Sequence, residues 1–320
     1  MKSLGRYILD RVFQMLPILF FISVVTFVLL YIAPGHPLAY YLDPSLSPEE
    51  LSARSEALGL NQPLYIQYFK WVGGLFRGNL GWSILRGRPV EEVIMERIPA
   101  TLLLMGTSLI ISVSVGVLLA VISAIRPYSL LDSFLTFLTF AGLSVPGFFL
   151  GILAIYIFSG RLEWFPVGGM STAGQDFSFF DLLRHLFLPS SVLSFINICG
   201  FFRYTRSGLL EVMDEDFITT ARAKGLSETA VVVRHGLRNA LAPTVTLLGI
   251  ALPSLIGGAS VIEVVFSWPG VGTLMVTALY QRDFPVLMGC MLITTFFTLV
   301  GGLLADIVYA LLDPRVNIGG

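Results

Sequence analysis

Side chains that could bind a metal or act as nucleophiles are few and widely spaced. The chain of 320 residues holds three histidines, His36, His185 and His235, and two cysteines, Cys199 and Cys290. Both cysteines lie in apolar runs and no C-x-x-C spacing occurs, so we expect two packed thiols, with no disulfide and no metal site. No histidine lies at the middle of an apolar segment, which argues against paired haem ligands and against an intramembrane hydrolase.

The sequence also lacks the chemistry of a nucleotide hydrolase. No G-x-x-x-x-G-K-[ST] segment is present to cradle phosphates, so we expect no cofactor in this chain, no ATP or Mg²⁺ bound to it, and no catalytic residue. The formal net charge is −1, which gives no argument for nucleic-acid binding.

Acidic residues inside apolar segments are costly and are often functional. Glu263, in the stretch SVIEVVFSWPG, could line a translocation path and bind a substrate amine. It could equally cap its own segment or pair with Arg282, and this structural role is slightly favoured. Asp306 is predicted to pair with Arg203 or Arg206.

Three further polar or helix-breaking residues are candidates for a translocation path. Ser144 and Pro146 lie in one apolar segment and Asn197 lies in another. The structural alternatives are a proline kink for the first two and an interhelical hydrogen bond for Asn197, and each is at least as well supported.

The elements that carry these residues are membrane-spanning helices. Hydrophobic residues make up 55% of the chain and charged residues only 13%, a balance outside the usual range of soluble domains. Crossing about 30 Å of hydrocarbon takes about 20 helical residues. Six segments are long enough, at approximately 12–33, 100–125, 134–159, 186–202, 240–266 and 284–312. The predicted fold is therefore all-α, a polytopic membrane protein with six transmembrane helices.

Orientation follows from the lysine and arginine residues at the segment ends, which place both termini and the segment after residue 202 in the cytoplasm. The region between residues 34 and 99 is then external. Ser47 and Pro48 form a helix start signal there, and Leu58, Tyr65 and Phe69 continue an apolar helical spacing. We expect a helical external loop packed on the spans, or a loop that carries short helices.

The segment DEDFITTARAKGLSETAVVVRHGLRNALAP, from Asp214 to Pro243, is polar although apolar segments flank it. Its pattern predicts one helix that ends at Gly225 and a second that starts at Ser227. Neither is long or apolar enough to span a bilayer. The acids at 214–216 disfavour binding to an anionic lipid surface, so docking of a soluble protein is the favoured function.

This segment is similar to the cytoplasmic loop of membrane subunits of ABC importers, in the dipeptide/oligopeptide/nickel permease family. The resemblance extends to YILDRVFQMLPILFFISVVTFVLLYIAPGHP, GRPVEEVIMERIPATLLL, VIEVVFSWPGVGTLMVTALYQRDFPVLMG and LADIVYALLDPRV, in the same order along the chain. The long external loop favours the B-type subunit. The general importer motif has Glu-Ala-Ala where this chain has Thr219, Thr220 and Ala221, so the motif's glutamate and first alanine are missing here.

The resemblance implies a division of the chain and a set of partners. Residues 1–33 would form the cytoplasmic N-terminus and first span, 34–99 the external loop, 100–312 a five-helix core with the cytoplasmic loop 207–239, and 313–320 a cytoplasmic tail. The implied partners are a second homologous permease subunit, two cytoplasmic ATPase subunits that bind ATP and Mg²⁺, an external substrate-binding protein and the lipid bilayer of the cytoplasmic membrane. The implied coupling residues are Phe217, Thr219, Thr220, Ala221, Arg222, Lys224 and Gly225.

The implied cargo is a dipeptide or oligopeptide, although nickel, glutathione and sugars are also carried within the family. The rival function is an ion-driven secondary transporter that acts without an ATPase. Such a protein would show internal repeats or ionisable groups at the centre of spans, and the sequence shows neither.

Overall fold

The structure is a computed structural model that describes residues 4–32, 56, 61–251, 253, 255 and 260–312. It is a bundle of helices with one short β-hairpin. The helices are α1 Leu4–Ile32, α2 Leu64–Leu75, α3 Val90–Met95, α4 Ile98–Ile125, α5 Leu130–Ser144, α6 Gly147–Ala154, α7 Phe179–Met213, α8 Asp216–Ala223, α9 Glu228–Ala230, α10 Leu237–Ala240, α11 Ala242–Ala251, α12 Ser260–Val265, α13 Val271–Tyr280 and α14 Phe284–Leu312. A π-helical segment, Ile155–Arg161, extends α6, and another, Val231–Gly236, joins α9 to α10. The strands β1 Trp82–Ser83 and β2 Arg88–Pro89 pair antiparallel.

Four helical segments of the described residues are long and apolar enough to cross a membrane. They are Ile8–Leu30, Val90–Ile125, Phe179–Met213 and Phe284–Ile307. A bent pair, Leu130–Ser144 with Gly147–Arg161, makes a fifth if it is counted as one span. The chain is thus an all-α, multi-pass membrane protein apart from its two-residue strands. The first, second and sixth predicted spans correspond to the continuous helices α1, α4 and α14.

The other three predicted spans differ from expectation. The third is not continuous, because the chain bends by 100° between α5 and α6. Val145 is extended and precedes Pro146, which disfavours helical backbone at the preceding residue. The fourth is a longer helix than predicted, and it carries Arg203 and Arg206 inside α7 instead of in a following loop. In the region of the fifth, α11 ends at Ala251 and α12 begins at Ser260, and residues 252, 254 and 256–259 between them lie outside the described part of the chain.

Helices α4 and α7 form the centre of the bundle, and small residues allow their close approach. The Ser194 hydroxyl donates to the Ser108 carbonyl at 3.1 Å, and the Ser112 hydroxyl lies 3.3 Å from the Ser194 carbonyl. A Cβ atom on Gly116 would lie 2.7 Å from Cβ of Phe201, so no larger residue fits there without movement. Small residues and hydroxyl groups are typical of packed helices in membranes, where water supplies no hydrophobic driving force.

The remaining helices pack around this centre. α1 lies against α14, and the hydroxyl groups of Ser23 in α1 and Tyr68 in α2 are 2.8 Å apart. α2 confirms one helix of the predicted external loop, whereas the start signal at Ser47 lies outside the described residues. The β-hairpin is fixed to the start of α14, because the Ser83 hydroxyl donates to the buried Asp283 carboxylate at 2.5 Å.

Candidate functional site

The polar segment after α7 forms a compact helical hairpin, defined here as residues 216–240. α8 ends at Ala223, the chain turns, and α9 continues through a π-helical segment into α10. Because α7 is 35 residues and roughly 50 Å long, the hairpin lies at the opposite end of the bundle from the segment that precedes Phe179.

The inner face of α8 packs on its own chain. Ile218 is fully buried and Ala221 is nearly so. Both belong to an apolar cluster with Val231 of the hairpin and with Val212 and Met213 at the end of α7. The hairpin is therefore seated on the last turn of α7.

The rest of α8 is exposed. Phe217 is 42% exposed although Ile218, its neighbour in the chain, is completely buried. Of the seven residues predicted to act in coupling, Ala221 is buried and six are exposed: Phe217, Thr219, Thr220, Arg222, Lys224 and Gly225.

The turn of the hairpin has the predicted local structure. Gly225 adopts φ +80°, the left-handed region that a glycine after a helix enters without strain. The Ser227 side chain accepts a hydrogen bond from the Ala230 backbone N–H and so caps α9. Arg222 bridges the turn by donating to Glu228, with Nε 2.9 Å from Oε1 and Nη2 3.3 Å from Oε2.

Two glycines let the second arm of the hairpin contact α7 closely. A Cβ atom on Gly208 of α7 would lie 2.8 Å from the Ala240 carbonyl oxygen. On the hairpin, a Cβ atom at Gly236 would lie 3.3 Å from Sδ of Met213 and 3.5 Å from a methyl group of Leu209. Small residues on both elements thus allow the two backbones to approach closely.

A buried ion pair, not predicted from the sequence, lies about two turns before the end of α7 at Met213. Arg206 donates from Nε to Oδ1 and from Nη2 to Oδ2 of Asp132, each at 2.7 Å. Asp132 also accepts from the Ser123 hydroxyl of α4 and from the Tyr128 backbone N–H at 2.7 Å. The Asp132 side chain is 2% exposed and that of Arg206 is 19% exposed. These four residues, Ser123, Tyr128, Asp132 and Arg206, are named the Asp132 clamp below.

The ion pairs of the structure correct the prediction for Asp306. Among the described residues Asp306 pairs with Arg11 of α1, at 2.9 Å, and not with Arg203 or Arg206. The sequence could not separate these alternatives, because several basic residues lie at the same end of the predicted spans. Arg206 and Asp132 each border an apolar segment, but nothing in their spacing indicates that they meet.

Glu263 is a structural anchor, and its predicted partner Arg282 is not among its contacts. Its side chain is completely buried and accepts from the Thr101 hydroxyl at 2.8 Å and from the Thr273 backbone N–H at 3.0 Å. The Thr101 hydroxyl oxygen in turn accepts from the Val271 N–H at 2.8 Å. Glu263 therefore caps the first turn of α13, where a negative charge is favourable, and it joins that turn to α4.

The other candidate path residues are exposed and lie at one place in the bundle. Ser144 and Pro146 are at the bend between α5 and α6, and Asn197 is on α7. A Cβ atom at Gly142 would contact Phe195 and Cys199, and one at Gly147 would contact Ile196. The bend thus lies beside the turn of α7 that carries Asn197, whereas Glu263 is enclosed elsewhere.

At the other end of α7 a hollow of about 260 Å³ is lined by polar and apolar side chains, including Asp181, Arg184 and His185. Asp181 accepts from the Thr172 backbone N–H at 2.7 Å and from its hydroxyl at 2.8 Å. His185 Nδ1 lies 2.9 Å from the Asp181 carbonyl oxygen. Within the described ranges, no group of three or more histidine, cysteine or acidic residues could hold a metal ion.

Two family models together match nearly the whole chain. The model described as "Binding-protein-dependent transport system inner membrane component" matches residues 116–318. The chain belongs to this family. The model described as "Binding-prot-dependent transport system membrane comp, N-term" matches residues 4–105.

Individual relatives are similar over their full lengths. An oligopeptide transport system permease protein of Bacillus subtilis (strain 168), AppB, is 45% identical over 315 residues, which cover 98% of this chain and 100% of that protein. A putative peptide permease protein of Brucella suis biovar 1 (strain 1330) is 43% identical, covering 98% and 99% of the two chains. A probable peptide ABC transporter permease protein of Sinorhizobium fredii (strain NBRC 101917 / NGR234) is 36% identical, covering 98% and 100%.

As a member of this family, the chain is a membrane component of a binding-protein-dependent transport system. Its apolar helices agree with a multi-pass membrane protein. The resemblance inferred from the sequence is thereby confirmed at the level of the family.

Proposed function

We propose that the chain is one of two permease subunits of an ATP-driven importer, and that it moves short peptides through the cytoplasmic membrane. A second homologous permease would complete the pore, two cytoplasmic ATPase subunits would bind ATP and Mg²⁺, and an external binding protein would deliver the cargo. The names of the relatives support the peptide class, since those proteins are described as oligopeptide or peptide permeases. Six spans with both termini in the cytoplasm remain the proposed topology.

The observation that carries the proposal is the outer surface of the helical hairpin. It exposes three large apolar side chains, Phe217, Leu226 and Val233, at 42%, 38% and 47%. Asp214 and Glu215 precede the hairpin and Asp216 begins it, so insertion of this surface into anionic lipid would be unfavourable. Exposed aromatic and aliphatic residues within a polar surface are typical of protein interfaces.

The packing of the hairpin on α7 would allow a partner bound to its outer side to move α7. Phe217, Thr220 and Lys224 have the i, i+3, i+7 spacing that puts residues on one side of a helix. Ile218 and Ala221 hold that helix on α7 from the inner side. A soluble ATPase that binds the outer side would therefore displace the hairpin together with α7.

Three acidic residues of the described helices give no support to an ion-driven mechanism. Asp132 is in an ion pair with Arg206, Glu263 caps α13, and Asp306 is paired with Arg11. A proton or sodium relay needs a carboxylate that can gain and lose its ion during transport. The partners of these three groups favour a source of energy outside the chain.

The test is assembly and ATP-driven uptake of a labelled dipeptide with all partner subunits present. Phe217→Ala should weaken co-purification of the ATPases, because it removes an exposed aromatic anchor. Phe76→Ala is the matched control, since Phe76 is 89% exposed and lies outside the hairpin. Equal ATPase recovery from both variants would contradict the docking surface.

The turn offers a second test. Gly225→Glu should uncouple ATP hydrolysis from uptake without preventing membrane insertion, because a glutamate at φ +80° is strained and would shift the turn. Gly225→Asn is the control, since asparagine tolerates this conformation. Uptake by the chain alone, driven by an ion gradient, would instead support the secondary transporter.

A further inference from the structure

The Asp132 clamp joins three elements at a single buried point. Ser123 comes from α4, Tyr128 and Asp132 from the turn into α5 and its first residues, and Arg206 from α7. The carboxylate accepts four hydrogen bonds from these elements, and the guanidinium binds it through two parallel N–H groups. Such bidentate pairs fix orientation as well as distance.

On one side, the clamp adjoins the apolar contacts that hold the helical hairpin on α7. Leu209, one turn after Arg206, is fully buried in a cluster with Val232 and Ala240 of the hairpin. Met213, a further turn on, contacts the cluster that contains Ile218 and Ala221. No more than two helical turns therefore separate the guanidinium from the inner face of the hairpin.

On the other side, the clamp holds the start of α5. This helix runs from Leu130 to Ser144, and its far end is the 100° bend. Leu135 of α5 packs in the same apolar cluster as Leu209, Val232 and Ala240. The helix that leads to the exposed residues Ser144 and Pro146 is thus fastened at its first turn to the helix that carries the hairpin.

We propose that Arg206 is a positioning residue for transport, which through Asp132 makes α5 and the helical hairpin move as one rigid unit. A displacement of the hairpin would then reach the bend at Val145–Pro146 and the polar residues beside it. The inference rests on the proposed function, since it needs an ATPase that moves the hairpin. It goes beyond that function by assigning the transmission step to one buried ion pair.

The experiment uses the complete transporter in proteoliposomes and compares ATP hydrolysis with uptake of a labelled dipeptide. In Asp132→Asn, the amide keeps an acceptor for Tyr128 N–H but loses the charge that holds Arg206. ATPase recovery and hydrolysis should remain, whereas uptake per ATP should fall about tenfold, a typical size for coupling between sites. Arg88→Gln is the matched control, because it breaks an exposed bidentate pair with Glu96 outside the clamp and should leave that ratio unchanged.

A covalent crosslink in place of the ion pair tests directly whether α5 and the helical hairpin move as one rigid unit. In a variant with Asp132→Cys and Arg206→Cys, a thiol crosslinker with a short spacer should restore the uptake per ATP that the uncrosslinked form has lost. A residue pair that only stabilises the fold would alter the melting temperature without this dependence on the crosslink.

The outcomes separate the two proposals. If Asp132→Asn keeps the normal ratio, or if the crosslink abolishes uptake, the rigid unit is wrong, because the two helices are then uncoupled or must move apart. If the unmodified chain binds no ATPase, the proposed function itself is wrong.

Discussion

Arg222 and Glu228 face each other across the turn of the helical hairpin and form two hydrogen bonds, at 2.9 and 3.3 Å. The pair holds α8 against α9 at the point where the backbone passes through Gly225. Both side chains are about half exposed, however, so water and salt compete for each charge. The apolar cluster below them, and not this ion pair, must supply most of the stability of the hairpin.

A double-mutant cycle with Arg222→Gln and Glu228→Gln should therefore give an interaction free energy below about 1 kcal/mol, falling further as salt is added. Hydrogen exchange of the α8 amide groups measures the local opening free energy of each variant. An interaction of several kcal/mol would show that the turn depends on the ion pair.

Ile218 should matter far more to the hairpin than its neighbour Phe217. Ile218→Ala removes a fully buried side chain and should lower the local opening free energy by about 2–5 kcal/mol, in the range of buried large-to-small substitutions. Phe217→Ala is the control and should leave amide exchange in α8 nearly unchanged. Similar exchange rates in the two variants would contradict the seating of α8 on Val231 and Met213.

Gly208 should tolerate no side chain. In Gly208→Ala the new methyl group would lie 2.8 Å from the Ala240 carbonyl oxygen, so α7 and the hairpin must separate. We expect a loss of about 1–3 kcal/mol, as for overpacked cores, seen as a lower melting temperature in detergent. Gly302→Ala in α14 is the matched control, because among the described residues no atom outside its own stretch of helix lies within 4 Å of the added group. Equal melting temperatures would rule out the close contact.

Glu263 should behave as a structural residue. Glu263→Ala leaves the Thr101 hydroxyl and the Thr273 N–H without their acceptor in a buried site, and hydrogen bonds to charged groups contribute about 1.5–3 kcal/mol each. The melting temperature should fall strongly, and Glu263→Gln should recover part of the loss because its carbonyl oxygen still accepts. A variant with normal stability but a raised KM for uptake would instead place Glu263 on the path.

The sequence alone predicted the class of the protein, since apolar runs of more than 20 residues can only be helices in lipid. It also predicted the local structure of the hairpin, because a glycine at position 225 and a serine at 227 are signals that act within one turn of chain. The helices α1, α4 and α14 were predicted for the same reason, as uninterrupted apolar segments.

Only the tertiary structure decided which polar groups meet. Asp132 and Arg206 are 74 positions apart, and Thr101 and Glu263 are 162 apart, so no periodicity relates them. The outward position of Phe217 likewise depends on the packing of Ile218 and Ala221 against α7. Hydrophobicity and capping act along the chain and are visible in it, whereas pairing of charges depends on how separate helices approach one another.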